Sequence, residues 1–190
     1  MNDTFRYRLQ QNPIIAGVKN PDDIDAALAS SCPTIFLLCG NIFNLKEIVQ
    51  KAKKAKKMIF LHVDLIEGFS RDAVAVRYIA QEICPDGIIS TKNSQLKAAR
   101  ELGLLTVQRL FIVDSLSIQT TVKSASLVRP DTVEILPGIM PRITKQLAQE
   151  LEVPVIVGGL VSTQSDIQNA LESGALGVST SCKKLWNVKN

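Results

Sequence analysis

Histidine and cysteine are scarce in this chain of 190 residues, which contains one histidine and four cysteines. The sequence contains no CxxC pair. The cysteines are scattered among apolar neighbours, as Cys32, Cys39, Cys84 and Cys182. This pattern indicates neither a disulfide framework nor a zinc site built from cysteine and histidine. We therefore expect buried, reduced thiols, no resident metal and no cofactor.

Long apolar runs are also absent. None approaches the roughly 18 residues that a membrane-spanning helix needs. The opening residues, MNDTFRYRLQQNP, have an amphipathic look but lack the apolar centre of a signal peptide. These two absences predict a cytoplasmic protein with no membrane partner.

The composition is that of an ordinary globular protein. Hydrophobic residues make up 46% of the chain and charged residues 21%, which predicts a single domain over residues 1–190 with a sizeable core. The formal net charge is +4. This mild excess permits an anionic ligand or a nucleic acid but requires neither.

Short apolar runs alternate with segments of helical spacing along the whole chain. Eight runs predict strands at 14–18, 34–38, 58–63, 87–90, 105–111, 132–136, 154–157 and 177–179. The segments between them predict helices at 22–30, 45–57, 71–83, 94–102, 115–128, 141–151 and 165–173.

Strands that are apolar nearly throughout, each followed by a helix, favour an α/β fold with a parallel sheet covered on both faces. Eight such units predict a closed (β/α)8 TIM barrel in a small single-domain version. An open, doubly wound sheet is the rival architecture, because the chain is slightly shorter than the roughly 200 residues at the low end for barrels.

An anion-binding site is predicted in the stretch 153–181, VPVIVGGLVSTQSDIQNALESGALGVSTS. Two glycines end a short buried strand, and small polar residues end the next. Glycines let backbone N–H groups approach a ligand, and the helices that follow present their positive ends. In a barrel, the loops after strands 7 and 8 commonly bind phosphate. The predicted phosphate-binding residues are Gly158, Gly159, Ser179, Thr180 and Ser181.

Other polar residues at strand ends could bind the remainder of such a ligand. Carboxylates accept hydrogen bonds from hydroxyl groups, and cations add positive charge near an anion. Arg109 lies within an apolar strand, so it needs a phosphate or carboxylate partner. A structural ion pair with Glu134 or Asp64 is its alternative role. The candidates are Asp64, Glu67, Lys92, Arg109 and Glu134.

A catalytic set is not evident. The sole histidine, His62, lies in the apolar run MIFLHVDL and is better explained as a core residue than as a catalyst. No lysine occurs in or just after 132–136, and neither a GxSxG elbow nor an HExxH pair is present. We therefore predict no catalytic residues.

A lysine run, KAKKAKK, ends the predicted helix 45–57. Barrel helices run back from the ligand face, so the run should lie on the opposite face. No aromatic residue interleaves with it, which favours contact with RNA phosphates over base stacking. A solvated helix face is the alternative interpretation. The RNA-binding candidates are Lys51, Lys53, Lys54, Lys56 and Lys57.

Several longer stretches, in order over nearly the whole chain, carry a family resemblance. They are NPIIAGVKN (12–20), FLLCGNI (36–42), HVDLIEGFSRD (62–72), DGIISTK (86–92), TVQRLFIVDS (106–115), EILPGIMP (134–141), VIVGGLV (155–161) and GVSTS (177–181). This set resembles the glycerol-3-phosphate-responsive antiterminators of glycerol-utilisation operons, the GlpP family. The resemblance implies a barrel that binds glycerol 3-phosphate and then binds and stabilises a leader mRNA, which prevents transcription termination.

Two other functions are weighed against this non-enzymatic sensor. One is a TIM-barrel enzyme acting on a small phosphorylated substrate, such as a glycerol phosphate or a glycerophosphodiester, with Asp64 and Glu67 as magnesium ligands. The other is an interaction scaffold without a ligand. The sequence leaves open whether the chain forms a homo-oligomer, which surface contacts RNA and how ligand binding is coupled to RNA binding.

Overall fold

Eight parallel strands pair in chain order and close into a barrel in the computed structural model, which describes residues 3–188. The strands are β1 Ile14–Val18, β2 Thr34–Leu37, β3 Met58–His62, β4 Gly87–Ser90, β5 Leu105–Phe111, β6 Thr132–Leu136, β7 Val155–Gly158 and β8 Gly177–Thr180. Each predicted strand is confirmed within one residue at either end. Ile15 of β1 pairs with Ser179 of β8, which excludes the open sheet.

Helices cover the outside of the barrel. They are α1 Asp3–Gln11, α2 Ile24–Ala29, α3 Leu45–Lys54, α4 Ala73–Tyr78, α5 Asn93–Glu101, α6 Ser115–Val128, α7 Pro141–Glu150 and α8 Gln164–Glu172. A 3-10 turn, Pro21–Asp23, precedes α2, a π-helical turn, Ile79–Ile83, extends α4, and a second 3-10 turn, Lys183–Leu185, follows β8. Within residues 3–188, no helix has the length and apolarity needed to cross a membrane.

Helix α3 ends three residues earlier than the lysine pattern predicts. Lys56 adopts a left-handed conformation with φ of 57°, and the N–H of Lys57 donates to the carbonyl of Ala52 at 2.9 Å. A left-handed residue followed by such a reversed hydrogen bond is a standard helix end. The last lysines of the run therefore leave the helix axis.

Helix α1 covers the N-terminal end of the barrel. Phe5 and Leu9 are fully buried on its inner face, whereas Tyr7 is exposed. The ring of Phe5 lies 4.7 Å from the ring of Phe60, so α1 packs directly on the barrel interior. The sequence showed an amphipathic leader here but did not predict this capping helix. The barrel is closed below by α1, and its open end is the C-terminal one.

The four cysteines are free thiols, as predicted, but only Cys32 is buried. Burial raises the pKa of the Cys32 thiol to about 11. Cys39 and Cys182 are half-buried, and Cys84 is exposed. The prediction of uniformly buried thiols was therefore wrong, because Cys84 takes the left-handed position, with φ of 55°, that ends a surface helix.

Candidate functional site

A buried ion pair lies inside the barrel near the ends of β5 and β6. Nε of Arg109 is 2.7 Å from Oε2 of Glu134, and the side chains are 7% and 0% exposed. The strand register places the two residues side by side. A charge removed from water needs an opposite charge or strong hydrogen bonds. The structural ion pair considered for Arg109 therefore exists, with Glu134 as the partner.

Ser179 of β8 completes this arrangement. Its hydroxyl donates to Oε1 of Glu134, so both carboxylate oxygens are engaged. Gly158 lies against the same two side chains, and a Cβ at this position would collide with Oγ of Ser179 and Oε1 of Glu134. Gly158 is therefore required by the packing of the polar cluster, a name that we use for Arg109, Glu134 and Ser179.

The backbone turns sharply after β7. Gly159 and Leu160 both have positive φ angles, 75° and 61°, a conformation that glycine adopts freely and other residues rarely. The carbonyl of Gly159 accepts a hydrogen bond from the N–H of Gly138 at 2.9 Å, which fixes the turn against the loop after β6. The turn brings residues 159–161 to the mouth of the barrel.

Thr180 connects the loops after β7 and β8. Its Oγ1 donates to the carbonyl of Val161 at 2.8 Å and accepts from the N–H of Cys182 at 3.0 Å. Its own carbonyl accepts the indole N–H of Trp186 at 2.8 Å. The two loops predicted to bind a phosphate are therefore joined by side-chain and backbone hydrogen bonds.

Asp166, in the first turn of α8, binds the backbone just before the helix through its carboxylate. The N–H groups of Ser162 and Thr163 donate to Oδ2 of Asp166 at 2.9 and 2.8 Å, and Oγ1 of Thr163 accepts from the N–H of Asp166. These backbone donors lower the pKa of Asp166. Asp166 therefore takes two backbone donors just before the helix, and binding of an anion at this helix start stays a prediction.

The loops enclose a cavity of about 80 Å³ at the C-terminal end of the barrel. One water needs roughly 10–15 Å³, so the cavity holds several waters or one small polar molecule. Lys19 and Arg109 contribute two positive charges and Glu134 contributes one negative charge. This charge balance favours a small anion. The remaining lining is Gly17, Leu38, Leu136, Gly159, Leu160, Val161, Ser179, Thr180 and Ser181.

Most of the residues predicted to bind a ligand meet at this cavity. Gly158 is not in the described cavity lining but packs against Glu134 and Ser179 of the polar cluster. The predicted residues that line it directly are Gly159, Ser179, Thr180, Ser181, Arg109 and Glu134.

Three predicted residues lie elsewhere on the same face. Oδ2 of Asp64 accepts from Oγ of Ser90 at 3.0 Å and from the N–H of Thr91 at 2.8 Å, which ties the ends of β3 and β4 together. Glu67 is exposed and pairs through its backbone with the loop after β2. Lys92 directly precedes α5. Within residues 3–188 the cavity lining includes none of the three, so their contact with a ligand stays a prediction.

Lys19 is the one charged residue in the described cavity lining that was not among the predicted ligand residues. It directly follows β1, and closure of the barrel places β1 beside β8. Gly17 of the same strand lies close to Thr180, because a Cβ at position 17 would be 3.2 Å from the carbonyl oxygen of Thr180. The sequence did contain a signal for this residue. Lys19 is a cation at the carboxyl end of strand 1, and strand 1 lies next to strand 8 in any closed barrel.

His62 lies in the barrel core and is 3% exposed. Burial and the charge of Arg109 lower its pKa to about 4, against the opposite influence of Asp64. The imidazole is therefore neutral at pH 7. In the described part of the chain, residues 3–188, no group of three histidine, cysteine or acidic side chains is arranged to hold a metal ion.

A model of the glycerol-3-phosphate responsive antiterminator family matches residues 14–186. The match includes all eight strands and every residue that lines the cavity. The chain belongs to this family. The resemblance that the sequence motifs indicated is therefore confirmed.

Individual members of the antiterminator family and other relatives have the same extent as this chain. The crystal structure of the glycerol uptake operon antiterminator regulatory protein from Listeria monocytogenes is 36% identical, with a TM-score of 0.88 over 92% of this chain and 95% of that chain. A glycerol uptake operon antiterminator-related protein from Thermotoga maritima is 28% identical, with a TM-score of 0.80 over 91% and 96%. The uncharacterized protein YgcP of Escherichia coli is 42% identical over 96% of this chain and 95% of its own length.

An aldolase also shares the barrel, with a TM-score of 0.72 at 12% identity. This likeness shows a common fold alone, because one barrel architecture supports many unrelated functions. The family assignment rests on the antiterminator match.

The lysine run of this antiterminator-family chain lies at the N-terminal end of the barrel, opposite the cavity. Nζ of Lys57 donates to the carbonyls of Ser30 and Cys32, which immediately precede β2. The guanidinium of Arg8 in α1 donates to the carbonyl of Lys56 at 2.7 Å. The predicted separation of the lysine run from the ligand face is therefore seen in the structure.

The five lysines differ in their surroundings. Lys51 forms an exposed ion pair with Glu47 at 2.8 Å. Lys57 is half-buried, and burial lowers the pKa of its ammonium group. We call the remaining exposed residues the lysine patch, which consists of Lys53, Lys54 and Lys56.

Proposed function

We propose that the chain is a glycerol 3-phosphate-responsive, RNA-binding transcription antiterminator. In this proposal it binds and stabilises the leader mRNA of a glycerol-utilisation operon and is not an enzyme. Family membership supports the regulatory role. The observation that supports glycerol 3-phosphate as the ligand is the cavity. It is lined by the loops after β7 and β8, by two cationic side chains and by three hydroxyl side chains.

The phosphate of glycerol 3-phosphate would bind between residues 159–161 and Ser181, near Lys19. A phosphate dianion favours backbone donors and a nearby ammonium group over a neutral environment. The two hydroxyl groups of the ligand would then contact Arg109 and Glu134, whose positions are fixed by their mutual ion pair.

The chemistry of the cavity supports a sensor over an enzyme. Both oxygens of Glu134 are engaged by Arg109 and Ser179, so this carboxylate is held as an acceptor rather than as a free base. His62 is buried in the barrel core, and the described cavity lining does not include it. Turnover of a glycerol phosphate or glycerophosphodiester with added magnesium, abolished by Asp64→Asn, would contradict the non-enzymatic proposal and favour the enzyme alternative.

RNA binding is supported by the lysine patch. Lys53, Lys54 and Lys56 present three ammonium groups on one exposed turn at the end of α3. Lysines contact nucleic-acid phosphates and release counterions on binding, which makes the affinity depend on salt. Lys57 is a weaker candidate, because its ammonium group already binds two carbonyls.

Calorimetric titration of the purified chain tests the ligand. We expect saturable binding of glycerol 3-phosphate and much weaker binding of glycerol or inorganic phosphate, since each supplies half of the contacts. Lys19→Met should lower the affinity on the order of tenfold, the effect of about 1.4 kcal/mol. Lys97→Met, an exposed change of the same charge on α5, is the matched control. Absence of binding by the unmodified chain would overturn the proposal.

A further inference from the structure

The segment after β8, residues 182–188, stands where an α-helix follows each of the other strands. It includes one 3-10 turn, Lys183–Leu185, and the chain's sole tryptophan, Trp186, which is 2% exposed. We call residues 182–188 the C-terminal strap. Its hydrogen bonds connect the cavity at one end of the barrel with the start of β2 at the other.

Trp186 makes the contacts at both ends of this connection. Its indole N–H donates to the carbonyl of Thr180, a cavity residue, at 2.8 Å. Its own carbonyl accepts from Oγ of Ser31 at 2.8 Å and from Sγ of Cys32 at 3.3 Å. One buried residue thus bonds to the rim of the cavity and to the connection between α2 and β2.

The connection between α2 and β2 leads directly to the lysine patch. Its carbonyls at Ser30 and Cys32 accept hydrogen bonds from Nζ of Lys57, the residue that follows Lys56. A second strap residue, Asn187, accepts from the N–H of Ser31 at 2.9 Å. Thr180 is therefore connected to the turn that carries the lysine patch by a continuous path of hydrogen bonds and short stretches of backbone.

We propose that the C-terminal strap transmits occupancy of the cavity to the lysine patch, with Trp186 as the positioning residue that couples them. The proposal rests on the function proposed above and names its regulation. It supplies a physical link between two sites that lie at opposite ends of the barrel.

The coupling begins at the buried hydrogen bond between Thr180 and Trp186. A ligand held by residues 159–161 and Ser181 restrains Thr180, which joins those loops. Because the Thr180 carbonyl and the indole N–H are bonded in a buried setting, separating them leaves both unpaired, and that is unfavourable. Trp186 therefore follows Thr180, and the Ser31–Cys32 backbone follows Trp186. Ligand binding then favours one arrangement of the turn at Lys56 and Lys57 over another.

Amide hydrogen exchange with glycerol 3-phosphate as the probe tests this inference without RNA. In the unmodified chain the ligand should slow exchange in the loops at 159–161 and 179–181, in the strap, and in the turn at residues 53–58. Fluorescence of Trp186 should change over the same ligand concentrations, because the chain has one tryptophan and its N–H contacts the site.

Two variants separate coupling from ligand binding. Trp186→Phe keeps an aromatic ring but removes the N–H, and Ser31→Ala removes the hydroxyl that donates to the Trp186 carbonyl at an exposed position. Both should retain ligand protection at 159–161. Trp186→Phe should lose it at 53–58, whereas Ser31→Ala should only reduce it there, because Cys32 and the backbone N–H of Ser31 keep their bonds to the strap. Ser126→Ala, an exposed change on α6, should behave like the unmodified chain.

The outcomes distinguish the two proposals. Ligand protection of the loops without protection of residues 53–58 in the unmodified chain would overturn the strap coupling and leave the ligand proposal standing. Protection of residues 53–58 that persists in both variants would also overturn it. No protection in either loop would overturn the proposed function and, with it, the coupling.

Discussion

Arg109 and Glu134 occupy paired positions on β5 and β6, and their side chains meet at 2.7 Å inside the barrel, beside the candidate ligand cavity. The position is informative because burial of an ion pair removes both charges from water. The attraction between the charges offsets only part of that unfavourable free energy. Because both residues line the cavity, we expect the pair to orient a charged ligand rather than to stabilise the fold.

Removal of one partner of this pair should destabilise the chain strongly. Glu134→Ala leaves the Arg109 guanidinium buried without an opposite charge, and we expect a loss of about 3–5 kcal/mol in the free energy of unfolding. The double variant Arg109→Met with Glu134→Leu should recover much of this loss but should not bind glycerol 3-phosphate. Urea unfolding and calorimetry measure the two effects.

The exposed ion pair between Glu47 and Lys51 is the control for that experiment. Glu47→Ala should leave the unfolding midpoint unchanged, because water screens an exposed pair. A loss from Glu47→Ala that equals the loss from Glu134→Ala would contradict the assigned role of burial.

Gly158→Ala should reduce both stability and ligand affinity. The added Cβ would overlap Oγ of Ser179 and Oε1 of Glu134, so the polar cluster must separate to admit it. Addition of Ser179→Ala removes one of the two overlaps and should restore part of the stability. Thermal unfolding and a ligand titration on the single and double variants provide the measurement.

Gly103→Ala is the matched glycine control. Position 103 has φ of 79° with open space around a Cβ, so alanine there should cost about 1 kcal/mol through backbone strain alone. Ligand affinity should not change. If both glycine variants weakened ligand binding equally, the proposed packing role of Gly158 would be wrong.

Stability should fall as the pH falls from 6.5 to 4, because of His62. Its folded pKa is about 4, whereas its usual value is 6.5. The unfolded chain therefore binds more protons in this window, and the free energy of unfolding decreases by at most about 3 kcal/mol before levelling off below pH 4. Urea midpoints at pH 7, 6 and 5 provide the measurement.

The His62→Gln variant should flatten this pH dependence. His62 is the only histidine in the sequence. The acidic groups with lowered pKa values, Glu47, Asp72 and Asp166, titrate below their ordinary values of 4.5, 3.8 and 3.8. A variant that keeps the full slope between pH 6.5 and 5 would show that another group is responsible.

Replacement of Lys53, Lys54 and Lys56 by alanine should weaken binding of the operon's leader RNA. Each lost phosphate contact lowers the slope of log affinity against log salt by roughly 0.7 for a single strand, so three should lower it by about 2. The control replaces Lys97, Lys123 and Lys145, which are exposed on α5, α6 and α7. Equal effects of the two triple variants would indicate a general charge effect instead of a binding patch.

The sequence predicted the barrel because local patterns determine its elements. Eight apolar runs of strand length, each followed by helical spacing, leave few alternative architectures. Capping helix α1 was missed because a nine-residue amphipathic segment is weak evidence for a helix by itself. Its helical state depends on burial of Phe5 and Leu9 against the barrel interior.

Composition and motif order alone determined the fold class, the family and the two loops expected to bind an anion. Tertiary structure decided which side chains meet. Closure of the barrel brought Lys19 and Ser181 to one cavity, and the strand register joined Arg109 to Glu134. The strap bonded the indole of Trp186 to the carbonyl of Thr180. These contacts join residues far apart in the chain, and their distances depend on packing that no local pattern encodes.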